Sequence, residues 1–310
     1  MPIPIRWRWK LDRFREQLKG FFGVKKKEDA RPRLCPACGT LVGANQSRCH
    51  QCGANLTFSL AAASRSLSGI FQSEAPVTYA ILIACCVLYA FSLLITIRAG
   101  GGMAPPSGGL FGIFNLGAIN TQVLIRLGGS LPLAYDLQEP WRFVMAVFLH
   151  GSLLHIGFNM WVLYDIGPQL EELYGSARYF FVYILTGICG YILSSFFGKV
   201  SIGASGALLG LIGVLLALTT GHRSAGMQML RSQLIRWLIY IAIMGFMFPG
   251  IDNFAHAGGL VSGYLLGRVM SPRTPMDAQS RRRAYALGWG TALVVVLSFA
   301  MMLVGFVRTG

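Results

Sequence analysis

Ser205 sits in the run Gly203-Ala204-Ser205-Gly206 near the start of an uncharged stretch, 201–220. Two further uncharged stretches carry His155 with Asn159, and His256. About 20 uncharged residues are enough for a helix to cross a bilayer. A serine hydroxyl, an imidazole base and a few hydrogen-bond donors are the parts that peptide hydrolysis needs. An unpaired polar group in hydrocarbon costs several kcal/mol, so side chains of this kind in a span are read as functional by default. The competing reading is that they only hydrogen-bond neighbouring helices, at about 0.6 to 2 kcal/mol each. Three groups of complementary chemistry in one chain favour function.

The elements that must position these residues follow from composition. With 54% hydrophobic and 13% charged residues and a mean hydropathy of +0.55, the chain lies outside the range of soluble globular proteins. An all-α polytopic membrane protein is expected. Uncharged stretches run over 77–97, 143–164, 179–197, 201–220 and 284–307, and shorter ones over 237–251 and 253–267 are separated only by Asp252. Arg236 and Arg268 beside the short stretches can snorkel, so seven spans are predicted. The first 30 residues lack the apolar core of a signal peptide, so the first span is expected to be an uncleaved anchor. A cytoplasmic N-terminus puts 22 of the 27 Lys and Arg on the cytoplasmic side and the C-terminus outside. The formal net charge of +15 is then mostly a topology and lipid-surface signal, with nucleic acid the weaker explanation.

Four parts are expected: a basic segment 1–34, a zinc ribbon 35–56, a linker 57–76 rich in Ser and Ala, and a membrane domain 77–310. In the second part, Cys35-Pro36-Ala37-Cys38-Gly39 and Cys49-His50-Gln51-Cys52-Gly53 are two CxxCG knuckles ten residues apart. Cys35, Cys38, Cys49 and Cys52 fit a closed tetrahedral Zn(2+) site, which is structural rather than catalytic. Two disulfides are the alternative, disfavoured by a reducing cytosol. In so short a module the metal would supply most of the folding free energy. Trp7, Leu11, Phe14, Leu18 and Phe21 recur at helical spacing among basic residues, which fits a helix lying on anionic lipid or one packed on the zinc module. The ribbon could also recruit a cytosolic partner.

Within the membrane domain, the second, fourth and sixth spans run the same way, and their polar residues fall toward their starts, in one leaflet. Gly151-Ser152 is a plausible cap for the second helix, with His155 and Asn159 on one face. Gly206, Gly210 and Gly213 form one small-residue stripe, and Gly259, Gly263 and Gly267 another; such stripes let helix backbones approach. His256, three residues before Gly259, lies on the packing face, so a Ser205–His256 hydrogen bond is the geometric prediction. Asp252, four residues before His256, tempts one to complete a triad but reads better as a helix cap. Position 207 is Ala, so the soluble hydrolase elbow GxSxG is not present. Cys85, Cys86 and Cys189 read as packing residues.

Trp141-Arg142, His150 followed by His155 and Asn159, Gly167 with Glu171 and Gly175, Gly203-Ala204-Ser205-Gly206, and Ala255-His256 with Gly259 and Gly263 together resemble the rhomboid intramembrane serine proteases. The resemblance covers roughly 77–270. It implies a six-helix core, with the seventh C-terminal helix as an addition. It also implies Ser205 as nucleophile and His256 as general base in a dyad, with no catalytic cofactor. His155, Asn159 and the Ser205 amide would stabilise the oxyanion, with His150 nearby. Substrates would be membrane-anchored proteins cut in or near a transmembrane helix, the fifth span would be the gate, and a bacterial chain would lie in the plasma membrane. The loop of about 98–140 would lie partly in the bilayer beside the site. Two features depart from the family pattern. Leu209 stands where an aromatic often supports the histidine, and Asp165 is an unusual acid at the inner end of a span. A non-catalytic rhomboid-fold protein binding membrane clients is the alternative. A transporter is a weaker one, since it predicts repeated halves or acidic relay residues, and the chain has no internal repeat and only Asp165 as an acid close to a span interior.

Overall fold

The computed structural model describes residues 33–34, 40–43, 46–51, 75–100, 116–198, 200–220, 224–248, 250–270, 272 and 278–308. The basic segment, the linker and Cys35, Cys38 and Cys52 lie outside the described residues, apart from Arg33–Leu34 and Ala75–Pro76 at their edges. The chain divides into two compact units, Met1–Phe71 and Gln72–Gly310. In the first, strands β1 (Arg33–Leu34) and β2 (Leu41–Val42) pair antiparallel, Arg33 opposite Val42 and Leu34 opposite Leu41. Val42 and Cys49 are buried there, and His50 is exposed.

The second unit is helical. Its elements are α1 (Pro76–Arg98), α2 (Thr121–Arg126), α3 (Leu133–Asp136), α4 (Arg142–Met145), α5 (Leu153–Tyr174), α6 (Ser176–Ser195), α7 (Ser205–Thr219), α8 (Ala225–Met247), α9 (Asn253–Val269) and α10 (Ala278–Arg308). Four of them, α1, α6, α8 and α10, are long and apolar enough to cross a membrane, and α7 is a shorter apolar helix. The protein is therefore an integral, multi-pass, mostly α-helical membrane protein. Proline at the first turn suits the start of α1, because its missing N–H would have no partner there. Gly175, at φ 75°, ends α5 and lets α6 begin at the next residue.

Helix boundaries differ from the uncharged stretches where charge is buried or lies at a helix surface. The stretch 143–164 was expected to be one span; instead, α4 and irregular backbone occupy its first ten residues, and α5 continues through Glu171 and Glu172 to Tyr174. The charge at Glu171 does not end the helix because it is fully used. Its carboxylate accepts from Val77 N (3.0 Å), Thr78 N (2.8 Å), Thr78 Oγ1 (2.8 Å) and Ser176 Oγ (2.6 Å). Those bonds satisfy the orphan amides at the start of α1 and favour negative charge at its positive end. Likewise α8 begins at Ala225 rather than 237, with Arg231 and Arg236 on the helix, and α10 begins at Ala278 rather than 284. Conversely, α7 starts only at Ser205 because Ser201 pairs by its backbone with Ser130, in both directions at 3.0 Å.

Closest of all is the packing of α7 on α9. A methyl group added at Gly259 would strike the carbonyl of Gly206, and one at Gly263 the carbonyl of Gly210. One at Gly267 would come within 2.8 Å of both Val214 O and the Ala217 side chain. The two backbones are thus in direct contact, as the small-residue stripes predict. Gly190 on α6 closes the third side, with its missing Cβ 2.6 Å from Ala255 O. Gly263→Val should lower stability by about 3 kcal/mol or more through overpacking against backbone that cannot yield. Gly290→Ala, where an added methyl meets nothing within 4 Å, should leave stability unchanged or raise it by up to about 1 kcal/mol. Thermal unfolding of both variants in detergent reads the contrast.

Candidate active site

Loops and the starts of three helices, α5, α7 and α9, build the site. Trp141-Arg142 anchors the first loop: Arg142 Nε donates to Glu139 Oε2 (2.6 Å), and its Nη1 donates to Ile125 O (2.6 Å) and Gly129 O (3.2 Å). These are charge-assisted bonds that tie Arg142 to a carboxylate and to two backbone carbonyls of the preceding loop. Asp136, fully buried, accepts from Ser130 Oγ (2.6 Å) and Leu131 N (2.9 Å). Burial raises the Asp136 pKa above the usual carboxylate range, although the hydrogen bonds from Ser130 and Leu131 oppose the shift. Ser130 in turn carries the backbone bridge to Ser201. The first loop is thereby stitched to the segment that leads into Ser205.

That segment is held as tightly from beneath. Gly203 N donates to Ala146 O (2.9 Å), and the buried Tyr191 hydroxyl donates to Gly203 O (2.5 Å), with Ala146 O at 3.1 Å. Gly203 has φ 124°, a conformation that side chains rarely adopt, and an added Cβ would lie 2.6 Å from His155 Nε2. Only glycine meets both conditions. Ser205 follows as the first residue of α7, so its amide has no intrahelical acceptor and is available to a ligand.

His256 occupies the first turn of α9, and its Nε2 lies 2.8 Å from Ser205 Oγ. Both residues are partly exposed. Asp252 caps this helix: its Oδ1 accepts from Phe254 N and Ala255 N, each at 3.0 Å, and its Oδ2 accepts from Ser194 Oγ. Its carboxylate is therefore engaged by the helix start and by α6 rather than by the His256 ring, in line with a cap rather than a triad member. Phe254 stacks on Phe197, with ring centroids 3.4 Å apart and planes within 6°. This cap and stack fix the turn that carries His256. Leu209, at the position of the missing aromatic, is buried in the core.

His155 and Asn159 project from the first turns of α5, capped by Ser152, whose side chain accepts from His155 N. Gly151 N donates to His155 Nδ1 (3.3 Å), so the neutral ring carries its proton on Nε2, the atom that faces Gly203. Asn159 is 3% exposed and donates one amide hydrogen to His155 O (3.0 Å), leaving the second to give. His150 is fully buried. Its Nε2 accepts from Ala204 N (3.5 Å), its Nδ1 lies 3.2 Å from Phe148 O, and its ring meets that of His155 edge-on at 5.1 Å. Ser205, His256, His155, Asn159 and His150 thus converge on one locality, beside Gly203, Gly206 and Gly259. Chemically, an alcohol bonded to an imidazole can lose its proton as it attacks a carbonyl, and nearby N–H groups can hold the anion that forms. Tyr191, Ser194, Ser130 and Asp136 complete the support and gave no signal in the sequence, since each reads there as an ordinary span or loop residue.

The comparisons with known proteins agree in placing this region. The model of the rhomboid domain matches residues 137–273. Rhomboid protease GluP of Bacillus subtilis (strain 168) is 32% identical over 157 residues, covering 50% of this chain and 31% of that protein. RHOMBOID-like protein 1 of Arabidopsis thaliana is 34% identical over 179 residues, covering 52% of this chain and 46% of its own length. Rhomboid-type serine protease 2 of Emericella nidulans is 34% identical over 158 residues, covering 50% and 31%. The match spans less than half the length of each of these relatives. The site residues lie inside the matched region, so the chain carries a rhomboid domain over 137–273 and is similar there to two proteins named as proteases.

Proposed function

We propose that the chain is an intramembrane serine endopeptidase, acting by a Ser205–His256 dyad on peptide bonds in or near the transmembrane segments of membrane proteins. The observation that carries this reading is the 2.8 Å contact between Ser205 Oγ and His256 Nε2, set among donors that can receive an oxyanion. Ser205 Oγ attacks the scissile carbonyl carbon while its proton passes to His256 Nε2. The tetrahedral anion is held by the Ser205 amide, Asn159 Nδ2 and His155 Nε2, with His150 fixing the Ala204 backbone beside them. Collapse breaks the C–N bond, His256 returns the proton to the leaving amine, and water then hydrolyses the acyl-enzyme by the same steps. A fully hydrogen-bonded helix hides its carbonyls, so substrates should carry small or helix-breaking residues near the cut.

By this reading α1 and α5 to α9 are the six-helix core and α10 is the added seventh helix, with the N-terminus in the cytoplasm and the C-terminus outside. Helix α8 is the gate: Leu234, Ile241 and Gly245 are its buried residues, so it can move aside at small loss of packing. The cytosolic head holds one structural Zn(2+) through Cys35, Cys38, Cys49 and Cys52. The donor set suits zinc, Cys49 is 3% exposed, and β1 ends at the residue before Cys35. Its partner is a cytosolic protein or none, with nucleic acid the less favoured ligand.

A fluorophosphonate probe should label the purified protein and fail to label Ser205→Ala, while His256→Ala should label far more slowly; persistent labelling of Ser205→Ala would remove the assigned nucleophile. For Asn159→Ala, kcat on a transmembrane substrate should fall about 100 to 1000-fold with a nearly unchanged thermal midpoint. Metal analysis of the reduced, folded full chain should return about one zinc per chain, and none would eliminate the ribbon site.

A further inference from the structure

Helix α10 is held at three places and leaves a gap between them. Near its start Gly288 rests on α6, where an added Cβ would come 2.7 Å from the Ala177 side chain. Farther along, Phe299 meets Phe148 edge-on at 5.5 Å. Near its end Phe306 packs on Phe91 at 6.0 Å and lies under the Arg126 guanidinium at 4.9 Å. These contacts fix the helix in place, so it cannot slide toward α1. Small side chains line the space left between them, Ala80 and Ala84 from α1 and Ala292 from α10. The result is a groove of about 470 Å³ whose lining is almost wholly apolar. A void of this size with so few polar partners does not hold ordered water. In a bilayer it is filled by hydrocarbon.

One end of the groove carries charge. Arg281, Arg282 and Arg283 are consecutive and exposed, and no carboxylate pairs with them among the described residues. Helical spacing puts Arg281 on the stripe of Tyr285 and Gly288, and Arg282 on the stripe of Trp289; all three of those residues line the groove. The first turns of α1 and α6, through Val77 and Ser176, border the same end. Tyr285 and Trp289 are amphipathic aromatics of the kind that settle at headgroup depth. A basic cluster, an aromatic collar and an apolar slot therefore follow one another in the order of a phospholipid: phosphate, glycerol region, acyl chain. Basic pockets between membrane helices favour acidic headgroups.

We propose that an acidic diacyl phospholipid binds here, its phosphate at Arg281 to Arg283 and one acyl chain along the groove between α1, α6 and α10. The site is separate from Ser205 and His256 and does not depend on their chemistry. The test uses the delipidated full chain in mild detergent, with phosphatidylglycerol and phosphatidylcholine as competing probes and retained lipid counted by native mass spectrometry. The parent should retain one phosphatidylglycerol with at least about tenfold preference over phosphatidylcholine. The triple variant Arg281→Gln, Arg282→Gln, Arg283→Gln should lose that preference to within about twofold. Ala84→Leu with Ala292→Leu, which fills the slot at unchanged charge, should reduce retention of both lipids. Lipid-free thermal midpoints equal to the parent's show that the variants are folded. An undiminished preference in the arginine variant, or undiminished retention in the filled one, overturns the proposal. So does a change of oligomeric state in the filled variant at constant lipid count, which would mean that a second copy occupies the groove.

Discussion

The backbones of α7 and α9 touch, and the position of every group at the site is measured from that contact. Gly206 and Gly259 oppose each other with no room for a methyl group between them, and Gly210 and Gly263 repeat the arrangement one turn farther on. Ser205 stands immediately before the first of these glycines and His256 one turn before its partner. Their hydrogen bond is therefore set by helix packing, with no dedicated loop needed to join them. Between membrane helices the attraction must come from van der Waals fit and polar contacts, since the lipid is as apolar as the side chains it replaces. A stripe of glycines converts that weak attraction into a defined separation, because backbone against backbone leaves nothing to relax.

Around this contact, buried charge is tolerated only where each lone pair or proton has a use. Glu171 ties the end of α5 to the start of α1, Arg142 fills the carbonyls of the first loop, and Asp252 caps α9 while receiving Ser194 from α6. Asp136 does the same for the first loop through Ser130, which is itself bonded to the segment before Ser205. Glu171 and Asp252 link helices distant in sequence, Arg142 and Asp136 hold the first loop together, and removing one partner would leave an uncompensated polar group in a medium that penalises it heavily. The support of His256 is an instance of the same economy. Where an aromatic would lie beneath the ring, this chain has Leu209 in the core, and the histidine's turn is secured by a carboxylate cap and by the Phe254–Phe197 stack.

Much of the site was legible because membrane sequences expose their exceptions. Ser205, His155, Asn159 and His256 stood out against apolar runs, glycine spacing gave the close pair of helices, and Ser152 and Asp252 were readable as caps from type and position. Helix limits were less legible. An uncharged run begins and ends at charge, whereas α5 starts ten residues after the run 143–164 begins and α8 starts twelve residues before the run 237–251. In both cases the charged residues belong to the helix, Glu171 because its partners are elsewhere in the chain and Arg231 and Arg236 because a long side chain can leave the helix surface. Ser194, Tyr191 and Asp136 could not be found at all, since their roles depend on which residues lie opposite them in space. The proposed zinc ligands are the reverse case: their spacing is explicit in the sequence, and three of the four lie outside the described residues.

The same reasoning sorts the seven long helices by how much freedom each retains. Helix α7 is buried over almost its whole length, and α9 presses against it by bare backbone, so neither can shift without breaking the Ser205–His256 hydrogen bond. Helix α8 keeps few buried residues, Leu234, Ile241 and Gly245, and is tied to α9 by Asn253 Nδ2 donating to Gly245 O at 3.0 Å. Aromatic edges between Trp237 and Phe158 or Trp161, with centroids 6.1 and 5.2 Å apart, provide much of its remaining contact with α5. Contacts of that kind are worth about 0.5 to 1.5 kcal/mol each and can be replaced by an apolar helix offering its own side chains. A proposed intramembrane peptidase needs this division: a rigid pair to hold the chemistry, and beside it an element whose displacement costs little enough for a substrate helix to take its place.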